Sequence, residues 1–109
     1  MKSIVQNLAA TENPVFSSFR DDEDFRELLE DLIAEIPEKI TRIQLALSTS
    51  DWPSLRTVGH QWKGCGGGYG FEGLTALGAD LEHAAINGDC CLIETAVAAL
   101  IDHLSRIRL

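Results

Sequence analysis

The sequence predicts an all-α fold: an antiparallel up-down-up-down four-helix bundle preceded by a short N-terminal helix or arm. Four amphipathic segments carry apolar residues at spacings of three and four, and no segment shows the sustained apolar/polar alternation of a strand. The connections between these segments are short, which favours antiparallel neighbours. We place the arm at residues 1–19 and the bundle at residues 20–109.

Length and composition indicate one folded domain whose partners are proteins. A chain of 109 residues can close one core, and 45% hydrophobic with 24% charged residues is typical of a folded protein. The net charge of −8 argues against nucleic-acid binding, which needs a basic surface. We find no run approaching the roughly 18 apolar residues of a membrane span and no signal-peptide core. We therefore expect a cytoplasmic monomer with no membrane or nucleic-acid partner.

The cysteines and two of the histidines do not suggest a metal site. Cys65, Cys90 and Cys91 are an odd number without ligand spacing, and adjacent cysteines rarely form a disulfide. A reducing compartment fits this pattern best. His83 and His103 lie on later helices without partners at ligand spacing, so we expect them at surface or rim positions. We expect no metal and no cofactor.

The first helix is predicted from about Asp22 to Ser48. Its start, DDED, places carboxylates at the positive end of the helix dipole. Pro37 lies inside the helix, but the apolar spacing continues in phase beyond it, which favours one kinked helix over two. The apolar stripe consists of Phe25, Leu28, Leu29, Leu32, Ile33, Ile36, Ile40, Ile43 and Leu47.

The second helix is predicted from about Trp52 to Gly68, with Asp51 as its N-cap and Pro53 in its first turn. A third helix follows, from about Glu72 to Asn87, with Leu74, Leu77 and Leu81 on one face. Glycine in the sequence NGD ends it. The fourth, from about Cys90 to Arg106, is expected to bury Leu92, Ala96, Leu100 and Leu104. Before the bundle, two interpretations stay open: Ile4, Val5 and Leu8 form a short helix that packs across one end of the bundle, or this segment is partly mobile.

His60 lies at the middle of the outward face of the second helix. At about 100° per residue, the residues on the same side are Arg56, Thr57, Lys63, Gly64 and Gly67. The opposite side, expected in the core, carries Leu55, Val58, Trp62, Cys65 and Tyr69. Each helical glycine costs about 1 kcal/mol relative to alanine, so the glycine run needs a compensating reason. Gly64 and Gly67 remove side chains that would hinder approach to the imidazole.

An exposed imidazole on such a surface can act as a nucleophile or acceptor, with Lys63 one turn away to meet an incoming anion. Phosphoryl is the natural group, because its transfer needs positioning and charge neutralisation more than acid/base machinery. Arg56 and Lys63 together form a basic spot on an acidic protein, suited to the acidic pocket of a partner.

These residues carry a resemblance to the histidine-containing phosphotransfer (HPt) domain. The family motif is H-x-x-K-G, small residues, then G-x-x-x-L-x-x-x-x-x-x-L-E. This chain has HQWKGCGGGYG at 60–70, then Leu74 and Leu81-Glu82. The upstream helix and the approach SDWPSLRTVGH are also similar, so the resemblance covers roughly residues 20–104. It departs where Cys65 and Gly66 replace serine or alanine, and where Gly59 replaces alanine.

The resemblance implies a phosphocarrier rather than an enzyme, since the partner supplies the catalytic groups. By this carry-over, His60 is the phosphoacceptor, Lys63 assists the phosphoryl oxygens and Gly64 gives partners access. The implied partners are response-regulator receiver domains, a hybrid histidine kinase, or both. We place Arg56, Gly64 and Gly67 in the docking surface.

Other functions stay open on the residues alone. A helical interaction module or inhibitor would bind a receiver or kinase without being phosphorylated. A hydrolase would use Cys65 or His60, although we find no triad partner. The string Gly68–Gly73 satisfies G-x-G-x-x-G, but it follows a helix instead of a strand, which argues against a dinucleotide site. Cys65 is expected to be a small core residue, and Glu82 a surface residue or a structural partner.

Overall fold

The computed structural model describes residues 13–109. Four helices, α1 to α4 in chain order, span Glu23–Ser48, Trp52–Cys65, Glu72–Asn87 and Cys90–Ser105. A 3₁₀ turn, Gly67–Tyr69, connects α2 to α3, and two short strands, β1 and β2, span Val15–Phe16 and Ile107–Arg108. The predicted all-α bundle is confirmed. None of these four helices has the length and apolar character required to cross a membrane.

One apolar core lies between the helices. Each helix packs against the next, α4 packs back against α1, and the closest pair is α2 with α3. A fully buried aliphatic side chain contributes roughly 1.5–3 kcal/mol, so this core is the main source of stability. Its most completely buried side chains are Leu29, Ile43, Leu55, Leu74, Leu81, Ile93, Val97, Leu100 and Leu104.

Helix α1 is continuous through Pro37, as its apolar spacing predicted. The side chain of Asp22 accepts a hydrogen bond from the Asp24 amide at 2.9 Å and caps the helix. The buried face is narrower than the predicted stripe, because Leu28 is 44% exposed. The helix buries Leu29, Leu32, Ile36, Ile43 and Ala46.

Helix α2 ends three residues earlier than predicted, at Cys65 instead of Gly68. The Gly66 carbonyl accepts hydrogen bonds from the amides of Tyr69, at 3.2 Å, and Phe71, at 2.9 Å, which tightens the chain into the 3₁₀ turn. Gly70 then takes a left-handed φ of 84°, which reverses the chain into α3. The glycine run therefore builds a turn as well as a helix end.

The buried face of α4 begins one residue later than predicted. Leu92 was expected in the core, but it is 51% exposed, whereas Ile93 is completely buried. The inward spacing runs through Ile93, Ala96, Val97, Leu100 and Leu104. Leu92 is about 100° away from Ile93 around the helix, and it lines a groove with Leu77 of α3.

Residues 13–19, the N-terminal clamp, connect the end of α4 to the turn after α2. Strand β1 pairs in parallel with β2, with Val15 opposite Ile107. Ser17 is buried and donates a hydrogen bond to the Tyr69 carbonyl, while the Ser18 amide donates to Gly70 at 3.0 Å. The sequence did not predict this pairing. The short helix considered for Ile4, Val5 and Leu8 lies outside the described residues.

Candidate functional site

His60 lies on the outer surface of α2, where its side chain is 71% exposed. Leu55 and Trp62 occupy the opposite side of the helix and are buried. Because these two apolar side chains anchor α2 in the core, the imidazole is directed outward. The structure thus places the ring where the helical winding predicted it.

A single carboxylate connects His60 and Lys63 to α3. Glu82 Oε2 lies 2.9 Å from His60 Nδ1, and Glu82 Oε1 lies 3.1 Å from Lys63 Nζ. The Glu82 side chain is only 14% exposed, whereas the two groups it holds reach into solvent. We name these three residues the acceptor cluster. The sequence suggested Glu82 as a structural partner, but not that it contacts both residues.

The carboxylate determines which nitrogen of a neutral His60 ring carries the proton. A carboxylate only accepts hydrogen bonds, so Nδ1 must be the protonated nitrogen that donates to Glu82. The lone pair of the neutral ring is then on Nε2. Hydrogen bonds from Lys63 and His60 also hold the pKa of the Glu82 carboxyl below its ordinary value of 4.5. Glu82 therefore stays ionised at neutral pH and orients the ring.

The glycines after His60 have different surroundings. A Cβ atom added at Gly64, one turn beyond His60, would meet nothing within 4 Å beyond its chain neighbours and the backbone of its own helix, so this surface is open. Gly67 lies beyond the end of α2, where its amide donates to Thr75 Oγ1 at 2.9 Å. Gly66 is buried, and a Cβ there would lie 2.7 Å from the Thr75 backbone nitrogen. Gly64 thus leaves free space beside the ring, and Gly66 permits close packing of α3.

Arg56 lies one turn before His60 on the exposed face of α2. It lines a shallow groove between α2 and α3, together with Trp52, Pro53, Thr57, Ala85 and Ile86. A second groove borders Lys63 and Glu82 and also includes Ile86. The acceptor cluster therefore lies beside a mixed surface, where Ile86 meets the charged side chains of Asp80 and Glu82 and the Arg56 guanidinium lies on one edge. The sequence indicated Arg56 but not Ile86, because helical periodicity does not show that this exposed apolar side chain lines both grooves.

Cys65 was expected in the core, and this expectation was wrong: the residue is exposed. It occupies the last position of α2 and lines an open groove between α1 and α2, which Lys39 and Arg42 also border. Partial burial in this groove raises the pKa of the thiol above its ordinary value of 9.0, while the charge of Lys39 opposes the rise. At neutral pH the thiol is therefore protonated.

The remaining histidines and cysteines form no further cluster in the described part of the chain. His83 is exposed and contacts Asn87, and His103 is half-buried against Gly73, where desolvation lowers its pKa. Cys90 and Cys91 are exposed free thiols at the start of α4. Within residues 13–109, no group of three or more His, Cys, Asp or Glu side chains is arranged to hold a metal ion.

Comparison with known protein families gives an extended match. The chain matches the family model for the Hpt domain over residues 27–108, a range that includes α2, α3, α4 and the whole acceptor cluster. It has no significant match to a curated protein or to a solved structure. Because the matched range covers most of the chain and of its four helices, the chain belongs to the Hpt domain family.

Proposed function

We propose that this protein relays phosphoryl groups through His60, which accepts a phosphoryl group on Nε2 from a receiver-domain aspartate or a histidine kinase. His60 then passes the group to the aspartate of another response regulator. Hpt domains are phosphocarriers rather than enzymes, and they interact with receiver domains and histidine kinases in two-component phosphorelays. The observation that carries the assignment to His60 is its exposed ring, anchored through Nδ1 and open at Nε2.

The groups of the acceptor cluster account for each bond and proton in the transfer of a phosphoryl group from a receiver aspartate to His60. The Nε2 lone pair attacks phosphorus, an N–P bond forms, and the P–O bond to the donor aspartate breaks, so the carboxylate of the donor leaves. Nδ1 keeps its proton throughout. The ring becomes cationic, and the ionised Glu82 carboxylate, 2.9 Å from Nδ1, stabilises that charge. Return transfer to a receiver reverses these changes.

Lys63 supports the incoming phosphoryl group without leaving Glu82. An ammonium group has three donors, and the contact with Glu82 at 3.1 Å uses one of them. The Lys63 side chain is about half exposed, so its other donors can meet phosphoryl oxygens above the open surface at Gly64. The role is electrostatic, because the positive charge stabilises the charge on the oxygens during transfer.

Partners dock, in this proposal, on the face formed by α2, α3 and the turn between them, which contains Arg56, Gly64 and Gly67. Arg56 and Lys63 offer positive charge to the acidic pocket of a receiver, and the groove beside Ile86 offers apolar area. A relay needs rapid dissociation, so we expect an interface near or below about 1,200 Å². The cytoplasmic location and the monomeric state remain predictions.

The alternatives from the sequence receive less support. A hydrolase using Cys65 would need a thiolate, but partial burial raises the pKa of this thiol, and the charge of Lys39 only partly offsets the rise. A docking module that is never phosphorylated would need neither an oriented ring nor a free Nε2. The experiment below separates such a module from a relay.

The test is phosphoryl transfer from a labelled receiver. Wild-type protein is incubated with receiver domains phosphorylated on aspartate, and the label on this chain is followed together with its stability in acid. We expect acid-labile, base-stable label on wild type and none on His60→Gln. His103→Gln, which removes the histidine of α4 outside the grooves beside the acceptor cluster, should be labelled like wild type.

Two results would contradict the proposal. Label that persists on His60→Gln would assign the acceptor role to another residue. An unlabelled wild type that binds the receivers tightly would identify a docking module instead.

A further inference from the structure

A contact between two glycines holds α2 and α3 together at the level of the acceptor cluster. Gly59 directly precedes His60, Gly78 lies one turn before Glu82, and both glycines are buried. A Cβ atom on Gly59 would lie 2.5 Å from the Glu82 backbone nitrogen and 2.7 Å from the Gly78 carbonyl oxygen. A Cβ atom on Gly78 would lie 2.5 Å from the Lys63 backbone nitrogen and 2.7 Å from the Gly59 carbonyl oxygen.

These close neighbours are backbone atoms, which cannot rotate away from an added methyl group. Non-bonded atoms prefer a separation of about 3.5 Å, so a methyl group on either glycine would move the two helices apart by about 1 Å. Hydrogen bonds weaken beyond about 3.2 Å, and the Glu82 contacts already measure 2.9 and 3.1 Å. Such a movement would break at least one of them.

We propose that Gly59 and Gly78 are positioning residues, whose contact sets the distance between α2 and α3 at which one Glu82 carboxylate reaches both His60 and Lys63. This inference rests on the proposed phosphoacceptor role of His60 and deepens it. Glycine is the poorest helix former apart from proline, yet it occupies interior positions of both helices. The close approach of the two helix backbones, which only glycine permits, compensates for the lower helix propensity of glycine.

The test compares Gly59→Ala and Gly78→Ala with the matched control Gly68→Ala. Gly68 has no atom within 4 Å of an added Cβ, so alanine there leaves the helix separation unchanged. Nitrogen-15 NMR of the His60 ring reports its tautomer, and carbon-13 NMR of Glu82 reports the titration of its carboxyl. Wild type and Gly68→Ala should show the Nδ1–H tautomer. In the other two variants, we expect a shift toward the Nε2–H tautomer and a rise of the Glu82 pKa toward 4.5.

Phosphoryl transfer gives the functional readout. At unchanged helical circular dichroism, labelling of Gly59→Ala and Gly78→Ala should be about tenfold to a hundredfold slower than that of wild type, because a misplacement of about 1 Å is enough for such a loss. Gly68→Ala should be labelled at the wild-type rate.

The outcomes separate this inference from the proposed function. The NMR readouts need no phosphoryl donor, so they test the glycine contact even if His60 is never labelled. If wild type is labelled on His60 and both folded alanine variants keep the wild-type tautomer, carboxyl titration and rate, only the inference fails. Loss of folding in both variants also overturns it, because the contact would then serve the bundle rather than the cluster.

Discussion

At the scale of single residues, the acceptor cluster depends on one partly buried carboxylate that orients an exposed ring. Sequence spacing predicted that His60 and Lys63 share a surface, because both lie on one helix with known periodicity. It could not predict that Glu82 reaches both, since that contact depends on the distance and rotation between two helices. The L-E pair in the motif was the only signal for it.

We predict that Glu82→Gln destabilises the protein in a pH-dependent way. The pKa of Glu82 is lowered in the folded state, so its ionisation stabilises the fold above the ordinary pKa of 4.5, and this contribution is lost as the pH falls through the folded-state value. Urea unfolding over a pH series should show a stability gap at neutral pH that closes in acid. Glu38→Gln, which alters an exposed pair with Arg42, is the control and should stay within about 0.5 kcal/mol of wild type.

A difference in stability between wild type and Glu82→Gln that persists unchanged below the folded-state pKa would show that the substitution acts through packing and not through charge. Slower labelling in the transfer assay should accompany the gap at neutral pH, because the amide offers only one oxygen to two donors.

We also predict that Cys65 is a slow nucleophile despite its exposure. Partial burial raises the pKa of its thiol above the ordinary value of 9.0, so less of the reactive thiolate is present at a given pH than for a free cysteine. In a variant with Cys90→Ser and Cys91→Ser, the rate of alkylation by iodoacetamide should reach half its maximum above pH 9.0. Lys39→Gln should move this midpoint higher, because the charge of Lys39 lowers the pKa. A midpoint below pH 9.0 would contradict the prediction.

At the scale of elements, helix periodicity predicted α1 and α3 almost to the residue, but it missed the end of α2 and the first buried residue of α4. Apolar periodicity cannot locate a helix end within a run of glycines, because glycine carries no apolar side chain. The prediction therefore extended α2 through Gly66 to Gly68, where the structure has a 3₁₀ turn. At the start of α4, Leu92 and Ile93 are adjacent and equally apolar. Only packing against the other helices decides which of them is buried.

The turn after α2 should tolerate alanine at one glycine and not at another. In Gly70→Ala, the methyl group meets Ser17, Ser18 and Phe19, and the left-handed φ of 84° disfavours any side chain. We expect a loss of about 2–4 kcal/mol in the free energy of unfolding. Gly68→Ala meets no neighbour within 4 Å and should be nearly neutral. Chemical denaturation of the two variants measures the difference, and equal stabilities would be incompatible with the structure of this turn.

At the scale of the whole molecule, a chain with a net charge of −8 presents two cations beside its candidate acceptor residue. Composition predicted the acidic character of the protein and argued against nucleic acid as a partner, but it does not show where on the surface the charges lie. The structure adds that Arg56 and Lys63 flank His60 on one face, with a mainly apolar groove beside Arg56 and a mixed groove beside Lys63 that Asp80 and Glu82 also line. If an acidic receiver docks on this face, as proposed, we expect its association to depend on Arg56 and on the part of the Lys63 charge that the Glu82 carboxylate does not neutralise.

We predict that the position of a charge affects the rate of association with a receiver more than the net charge of the protein does. Arg56→Glu and Arg26→Glu change the net charge equally, but Arg26 lies on α1, where it pairs with Glu30. Association with a phosphorylated receiver, measured by stopped flow at low salt, should be about tenfold slower for Arg56→Glu and close to wild type for Arg26→Glu. The difference should shrink as salt screens it. Equal slowing of both would show that only the total charge acts.

The N-terminal clamp has a consequence for amide hydrogen exchange. The Val15 amide donates to the Arg106 carbonyl at 2.8 Å, and the Ser18 amide donates to Gly70 at 3.0 Å, so both donors lose their partners if the segment detaches. Amide protons that are exposed by the same opening event exchange with the same free energy of opening. Equal protection of the Val15 and Ser18 amides would therefore identify a cooperative unit that joins distant parts of the chain. A substitution that weakens the turn at Gly70 should then accelerate hydrogen exchange at both amides.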